Sequence, residues 1–149
     1  VRPGDAPEVL DHAPAPAEFV ALRAICGWGE VPEALAARAL AASVIDVSAR
    51  RSGGLLGFGR VVGDGVLYFY VQDVIVAPHT RGEGVGRLVM ERLMIWVRAI
   101  APAGATIGLM SAVGKEGFYE CFGFTPRPAA SYGAGMTQFV CAANPRPQP

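Results

Sequence analysis

The chain has 149 residues, 52% of them hydrophobic and 17% charged, which is one domain's worth of sequence with enough apolar surface for a substantial core and too much for disorder. Thirteen basic and thirteen acidic residues cancel, which excludes a general nucleic-acid or anionic-membrane binder and requires any anion site to be local. Three cysteines, Cys26, Cys121 and Cys141, are odd in number and widely spaced. With only His12 and His79 beside them, they predict small buried thiols in a reducing compartment and no metal site.

No internal repeat or linker divides the sequence, so 1–149 reads as one domain whose ends, 1–7 and 144–149, are flexible. Glu8–His12 reads as a short strand. Pro16–Ile25 starts at a proline and sets Phe19, Leu22 and Ile25 on one face of a helix, which Cys26-Gly27-Trp28-Gly29-Glu30 breaks. Pro32–Ala42 is alanine-rich and predicts a second helix. Ser43–Ala49 and Leu55–Val62 flank a Ser52-Gly53-Gly54 turn as a hairpin, and Val66–Ala77, after Gly63-Asp64-Gly65, extends it to a meander ended by Pro78. From Gly84 to about Ile100, Val85, Val89, Leu93, Trp96 and Ile100 recur at helical spacing, with Arg87 and Glu91 as an exposed i,i+4 pair. Thr106–Met110 reads as a short buried strand, Lys115–Phe122 as a short helix closed by Gly123, and Met136–Ala142 as a last strand. The order predicts an α+β fold with a mixed sheet. The apolar runs are too short to span a membrane and no signal peptide is legible, so a cytoplasmic protein is expected.

Arg81-Gly82-Glu83-Gly84-Val85-Gly86-Arg87 lies between the long strand and the long helix. Glycines at alternate positions permit a tight turn and leave N–H groups with no side chain in front of them. At a helix start those groups lack partners and sit at the positive end of the macrodipole, so they suit a phosphate or pyrophosphate. A purely structural strand-to-helix junction is the alternative. A P-loop is excluded because Arg87-Leu88, and not Lys with Ser or Thr, follow Gly86. A dinucleotide site is excluded by the glycine spacing and by Ala103-Gly104-Ala105 where an acidic residue belongs.

The second informative segment is Lys115-Glu116-Gly117-Phe118-Tyr119-Glu120-Cys121-Phe122-Gly123-Phe124. With it, the chain resembles the GNAT superfamily of acetyl-CoA-dependent N-acetyltransferases, over roughly residues 55 to 140. Arg81, Gly84 and Gly86 fill that family's Arg/Gln-x-x-Gly-x-Gly/Ala motif; Phe118, Tyr119, Gly123 and Phe124 fill its Phe-Tyr-x-x-x-Gly-Phe motif. The resemblance implies αβα-type layering around a twisted sheet of six to seven strands, splayed between the fourth and fifth so that acetyl-CoA inserts its pantetheine arm. It implies a coenzyme site formed by Val74, Ile75 and Val76, by Arg81, Gly82, Glu83, Gly84, Val85, Gly86 and Arg87, and by Ser111, Lys115 and Phe118. Ser111 enters because Ala112 stands where many members carry an asparagine that binds the pantetheine.

The family's chemistry is acetyl transfer to an amine by direct attack in a ternary complex, with no metal. A thioester is already activated, so placement, an oxyanion donor and a proton for the leaving thiolate suffice. Tyr119 matches the family tyrosine that serves as general acid; a tyrosine packed by its ring is the alternative. Asp73, a carboxylate in an otherwise apolar strand, is the base candidate, against a carboxylate that faces solvent or pairs with an arginine, or a water chain as base. His79 is expected to be a solvent-exposed turn residue, and Lys115 either reaches a coenzyme phosphate or is solvated. Trp28, Glu30, Tyr70 and Tyr132 border the implied acceptor cleft and suit a small amine with apolar or aromatic bulk. Arg50 and Arg51 keep a phosphorylated sugar open as acceptor. A peptide or protein acceptor, or a sensor that binds acyl-CoA without turnover, are the other readings, and a homodimer is compatible with all three.

Overall fold

The computed structural model describes residues 6–140. The chain forms two compact units, Val1–Leu109 and Met110–Pro149. The first carries β1 (Glu8–Leu10), α1 (Pro16–Ile25), α2 (Glu33–Ala41), β2 (Ile45–Arg51), β3 (Gly54–Gly63), β4 (Tyr68–Val76), α3 (Val85–Ile100) and β5 (Thr106–Gly108); the second carries α4 (Glu116–Glu120).

Local chemistry accounts for the boundaries. Pro16 pre-sets φ at the first position of α1, and Glu18 accepts the Ala15 N–H at 2.9 Å, so a residue with no capping side chain still begins a helix. Ser52 and Gly53, both at positive φ, make the tight turn between β2 and β3. Asp64 accepts the N–H groups of Val66, Leu67 and Tyr68 at 2.8–2.9 Å and shapes the turn into β4.

The strands form one sheet in the order β1-β2-β3-β4-β5. β1 to β4 are antiparallel neighbours, and β5 joins β4 in parallel after the α3 crossover. On one face, Phe58 and its cross-strand partner Ile75 pack with Phe19 and Leu22 of α1 and Ala36 and Leu40 of α2. The alternate residues of β3 face α3, giving the expected helix–sheet–helix layering of this unit. A Cβ at Gly57 would lie 2.8 Å from Val85 Cγ1, and one at Gly59 would lie 2.8 Å from both Val89 Cγ1 and Leu93 Cδ1. Those two glycines let α3 close onto β3.

Two expectations are corrected. Val85, Val89 and Leu93 are buried as predicted, but Trp96 and Ile100 are 39% and 44% exposed. The buried stripe follows the 3.6-residue period through Met90, Met94 and Val97 instead. The sheet has five strands among the described residues, not six or seven. Met136–Val140 of the expected last strand is exposed and carries no strand, its run being short and preceded by Gly133 and Gly135, while Cys141 and Ala142 lie outside the described residues. No helix among the described residues is long and apolar enough to cross a membrane.

The glycine contact is testable. Gly57→Ala should lower stability by about 1–3 kcal/mol, the range for overpacking, because Val85 and the Ile75 carbonyl oxygen at 3.2 Å both resist the methyl group. Denaturant unfolding measures it, and an unchanged midpoint would refute the close approach.

Candidate functional site

The site is built on the end of β4. β4 pairs with β5 only at Tyr68, Phe69 and Tyr70, and Val71–Val76 continues with no β5 partner. The Ala77 N–H bonds the Leu56 carbonyl on the β3 side at 2.8 Å, so alternation turns the Val76 N–H toward the other edge, beyond the end of β5. Ile75 is buried against α1 and α2, and Val74 approaches the α3 side near Gly59.

A 3₁₀ turn, Pro78–Thr80, leads from β4 into the glycine segment, with Thr80 buried and bonded to the Ala77 carbonyl at 3.1 Å. His79 is exposed, as expected for a turn residue. Gly82 and Gly84 adopt φ of 86° and 84°, left-handed values that close the turn, and no atom lies within 4 Å of where their Cβ atoms would stand. Gly84 is the N-cap of α3 and offers no side chain to its N–H groups. The first intrahelical bond is Leu88 N–H to Gly84 carbonyl at 3.1 Å, so the N–H groups of Gly84, Val85 and Gly86 precede the helical ladder and stand at its positive end. Arg81 is exposed beside them, Glu83 is tied to Arg51 at 2.9 Å, and Arg87 pairs with Glu91 at 3.2 Å. The turn has the open backbone that an anionic group requires.

Asp73 is 5% exposed and lies at a bulge. Arg60 pairs with Gln72 and Phe58 with Ile75, so β4 has one residue more than β3 across this interval. Asp73 takes φ of 53°, a left-handed value uncommon outside glycine. Its Oδ1 accepts from Arg23 Nη1 at 3.1 Å and its Oδ2 from Arg60 Nε at 2.7 Å. The arginine-paired alternative is what the structure shows, twice over. Arg23 also donates to the Trp28 carbonyl at 2.9 Å and lies over the rings of Phe19 and Trp28, while Arg60 donates to the Ala39 carbonyl at 2.8 Å.

The expected acceptor residues do not form one group. Trp28 belongs to this arginine cluster. Glu30 instead lines a groove of about 430 Å³ with Ala17, Val20, Ala21, Ala24 and Glu33, on the α1 side away from Arg23. Tyr70 is half-buried on β4, opposite Val62 and Gly108. Arg50 and Arg51 are engaged by Glu18 and Glu83, so neither stands open to a phosphorylated sugar.

In the second unit, Phe118 packs edge-on to Tyr119 and to Phe122, with ring centroids 5.0 and 5.3 Å apart, and Tyr119 packs edge-on to Phe124. Tyr119 is half-buried, and burial raises its phenol above the ordinary value of 10.0. Lys115 is exposed at the start of α4, and the Ser111 hydroxyl bonds the Ala112 carbonyl at 3.0 Å. Tyr132 is exposed, with the Arg127 guanidinium 5.3 Å from its ring centre.

The family model described as "Acetyltransferase (GNAT) domain" matches residues 44–126, more than half of the chain, and this span contains β2, β3, β4, the glycine turn, α3 and the Tyr119 segment. The chain belongs to the GNAT family. A relative named serotonin N-acetyltransferase 2, chloroplastic, from rice (Oryza sativa subsp. japonica), is 38% identical over 88 residues, 59% of this chain and 43% of that protein. The chain thus spans less than half the length of this curated relative. Among solved structures, a probable acetyltransferase of unknown function from meticillin-resistant Staphylococcus aureus superimposes with a TM-score of 0.82 at 25% identity, covering 90% of this chain and 99% of that one. A GNAT-family acetyltransferase from Streptococcus pneumoniae TIGR4 gives a TM-score of 0.72 at 22% identity over 91% of this chain and 98% of that one, which is a likeness of fold.

Within this GNAT chain, sequence reasoning did not find Arg23 and Arg60. Both are cations in apolar elements, the same signal that singled out Asp73, and a search for the partners of that carboxylate would have reached them. The glycine turn generates a direct test. Gly84→Asp places a carboxylate at the helix start in a residue type that tolerates left-handed φ, so the protein should fold and its acetyl-CoA affinity should fall at least tenfold in calorimetry. Wild-type affinity in the folded variant would move the pyrophosphate site elsewhere.

Proposed function

We propose that this chain transfers the acetyl group of acetyl-CoA to the primary amine of a small molecule, by direct attack in a ternary complex. The observation that carries the reading is the continuation of β4 beyond β5, directly before an open-backbone turn at the N-terminus of a long helix. The strand end suits the pantetheine amide and thioester carbonyl, and the turn suits the pyrophosphate. Membership of the GNAT family supports acetyl-CoA as co-substrate, and the match across 44–126 supports treating both units as one domain.

The chemistry needs few groups. The neutral amine attacks the carbonyl carbon, the oxyanion is met by backbone N–H at the strand end, and the C–S bond breaks as the thiolate takes a proton. Tyr119 is the donor in this reading. Its raised value keeps the phenol protonated throughout the neutral range. Asp73 has both oxygens occupied by guanidinium donors, so water takes the proton from the attacking amine and Asp73 acts through the backbone it holds. Val74, Ile75, Val76, Ser111, Lys115 and Phe118 keep the coenzyme contacts that the family resemblance implies.

For the acceptor the reading takes an arylalkylamine, the amine with aromatic bulk that the sequence suggests, although Trp28, Glu30, Tyr70 and Tyr132 do not form one group that defines its cleft. The name of the rice relative, an acetyltransferase of serotonin, supports the same class. A cytoplasmic location remains part of the reading, although that relative is named chloroplastic. Release of CoA thiol with a panel of arylalkylamines, polyamines, amino sugars and peptides tests the class. Turnover confined to peptides would replace the acceptor, and coenzyme binding without turnover on any amine would make the chain a sensor.

The role of Tyr119 has its own test. Tyr119→Phe keeps the ring and removes the donor, so kcat should fall by about 10²–10⁴ with acetyl-CoA affinity nearly unchanged. Because burial raises the phenol, activity in the wild type should be lost only as pH rises above 10, and that limb should vanish in the variant. Wild-type turnover in Tyr119→Phe would reduce the tyrosine to packing.

A further inference from the structure

The buried carboxylate of Asp73 and its two arginines do more than satisfy one another. Asp73 is the extra residue of the β4 bulge and holds a left-handed φ of 53°, which aspartate tolerates better than most residues but rarely takes inside a strand. Something must hold it there. Arg60 reaches it from the neighbouring strand and is fixed to the C-terminal end of α2 through the Ala39 carbonyl. Arg23 reaches it from α1 and is fixed to the loop after α1 through the Trp28 carbonyl, with its guanidinium 5.6 and 5.8 Å from the Phe19 and Trp28 ring centres. Two neighbouring elements therefore grip one backbone irregularity.

The bulge sets the phase of everything after it. Without the extra residue, Phe58 would oppose Val74 instead of Ile75, and each later residue of β4 would turn its side chain and its N–H to the opposite direction. Ile75 would leave the α1–α2 core, and the Val76 N–H would turn from the open edge toward β3. The backbone that meets the coenzyme in the proposed reaction exists in this orientation because the bulge is held.

We propose that the Arg23–Asp73–Arg60 ion triad is a positioning device that locks the β4 bulge and so presents the strand end to acetyl-CoA, and that Arg23, through the Trp28 carbonyl, ties the loop 26–30 to the same register. The proposal rests on the acetyltransferase reading for its ligand, but not for the locking itself. Arg23, Asp73 and Arg60 are positioning residues that act through the β4 backbone.

Three variants test it: Asp73→Asn, Arg23→Gln and the milder Arg23→Lys, which keeps the charge but cannot fork to both Asp73 and the Trp28 carbonyl. The first readout needs no ligand. Amide hydrogen exchange should accelerate tenfold or more at Ile75 and Ala77 in each variant, while Val44, whose N–H bonds the Val61 carbonyl at the far end of β3, keeps its wild-type rate. The second readout is the coenzyme. Acetyl-CoA affinity should fall at least tenfold and KM rise to match, with a smaller fall in kcat at saturation, and Arg23→Lys should retain more affinity than Arg23→Gln. The double variant Arg23→Gln/Asp73→Asn should be little worse than Asp73→Asn alone, because both changes release the same bulge. Unchanged exchange at Ile75 and Ala77, or acceleration equal at Val44, overturns the locking. It is overturned as well if Asp73→Asn slows turnover by about 10²–10⁴ with affinity unchanged, since that is the signature of a base. Local exchange as expected in a protein that does not bind acetyl-CoA at all would preserve the locking and refute the functional reading instead. Should Asp73→Asn fail to fold, Arg23→Lys decides the matter by the same two readouts.

Discussion

A carboxylate shared by two arginines governs the α1–α2 face of the sheet. Asp73 is almost fully buried, and its charge is tolerable in that setting only because Arg23 and Arg60 donate to both of its oxygens and hand further donors to backbone carbonyls at Trp28 and Ala39. Removing one member of such a group leaves uncompensated charge behind, and the cost for buried pairs is about 3–5 kcal/mol. Under the proposed locking, the arrangement contributes specificity more than net stability: an apolar side chain at Asp73 could pack, but nothing would then oblige the strand to bulge. α1, α2 and β4 take their mutual registration from this contact, with the Phe19, Leu22, Phe58 and Ile75 cluster filling the space it defines.

The opposite face of the sheet is organised by the absence of side chains. Gly57 and Gly59 admit α3 to van der Waals contact with β3, so six buried positions of one helix, from Val85 to Val97, cover that face. The sheet is thus gripped by charge on one side and by close apolar packing on the other. These two constraints meet at the end of β4, where β3 is the last strand that still accompanies it.

Much of this could be read from the chain. α1 falls on the expected residues because Pro16 and Gly27 punctuate it, and the meander is marked by Ser52-Gly53 and Gly63-Asp64-Gly65. The open turn at Gly82–Gly86 and the Phe118-Tyr119 segment carry their own local signatures. The rest depends on contacts at long range. A bulge at an aspartate has no composition of its own, and the groups that meet Asp73 at its positive φ lie 50 and 13 residues away. The outer end of α3 misled for a similar reason: Trp96 and Ile100 fit a helical spacing, but the sheet selects the stripe through Met90, Met94 and Val97. Trp28 and Glu30 stand two residues apart in sequence yet serve different surroundings, because Gly29 at φ of 78° turns the chain between them.

The contact at Gly57 gives the end of β4 and the start of α3 a common footing. Val85, the first residue of the helix, and Val76, the last of the strand, both lie against that one glycine. The separation between the strand end and the helix start is consequently a property of the packed core and not of the loop that connects them. A long, flexible ligand that spans both points meets a gauge of fixed length already set before it arrives. Packing at Gly57 holds those two points together before any ligand arrives, which lowers the ordering the protein must supply there.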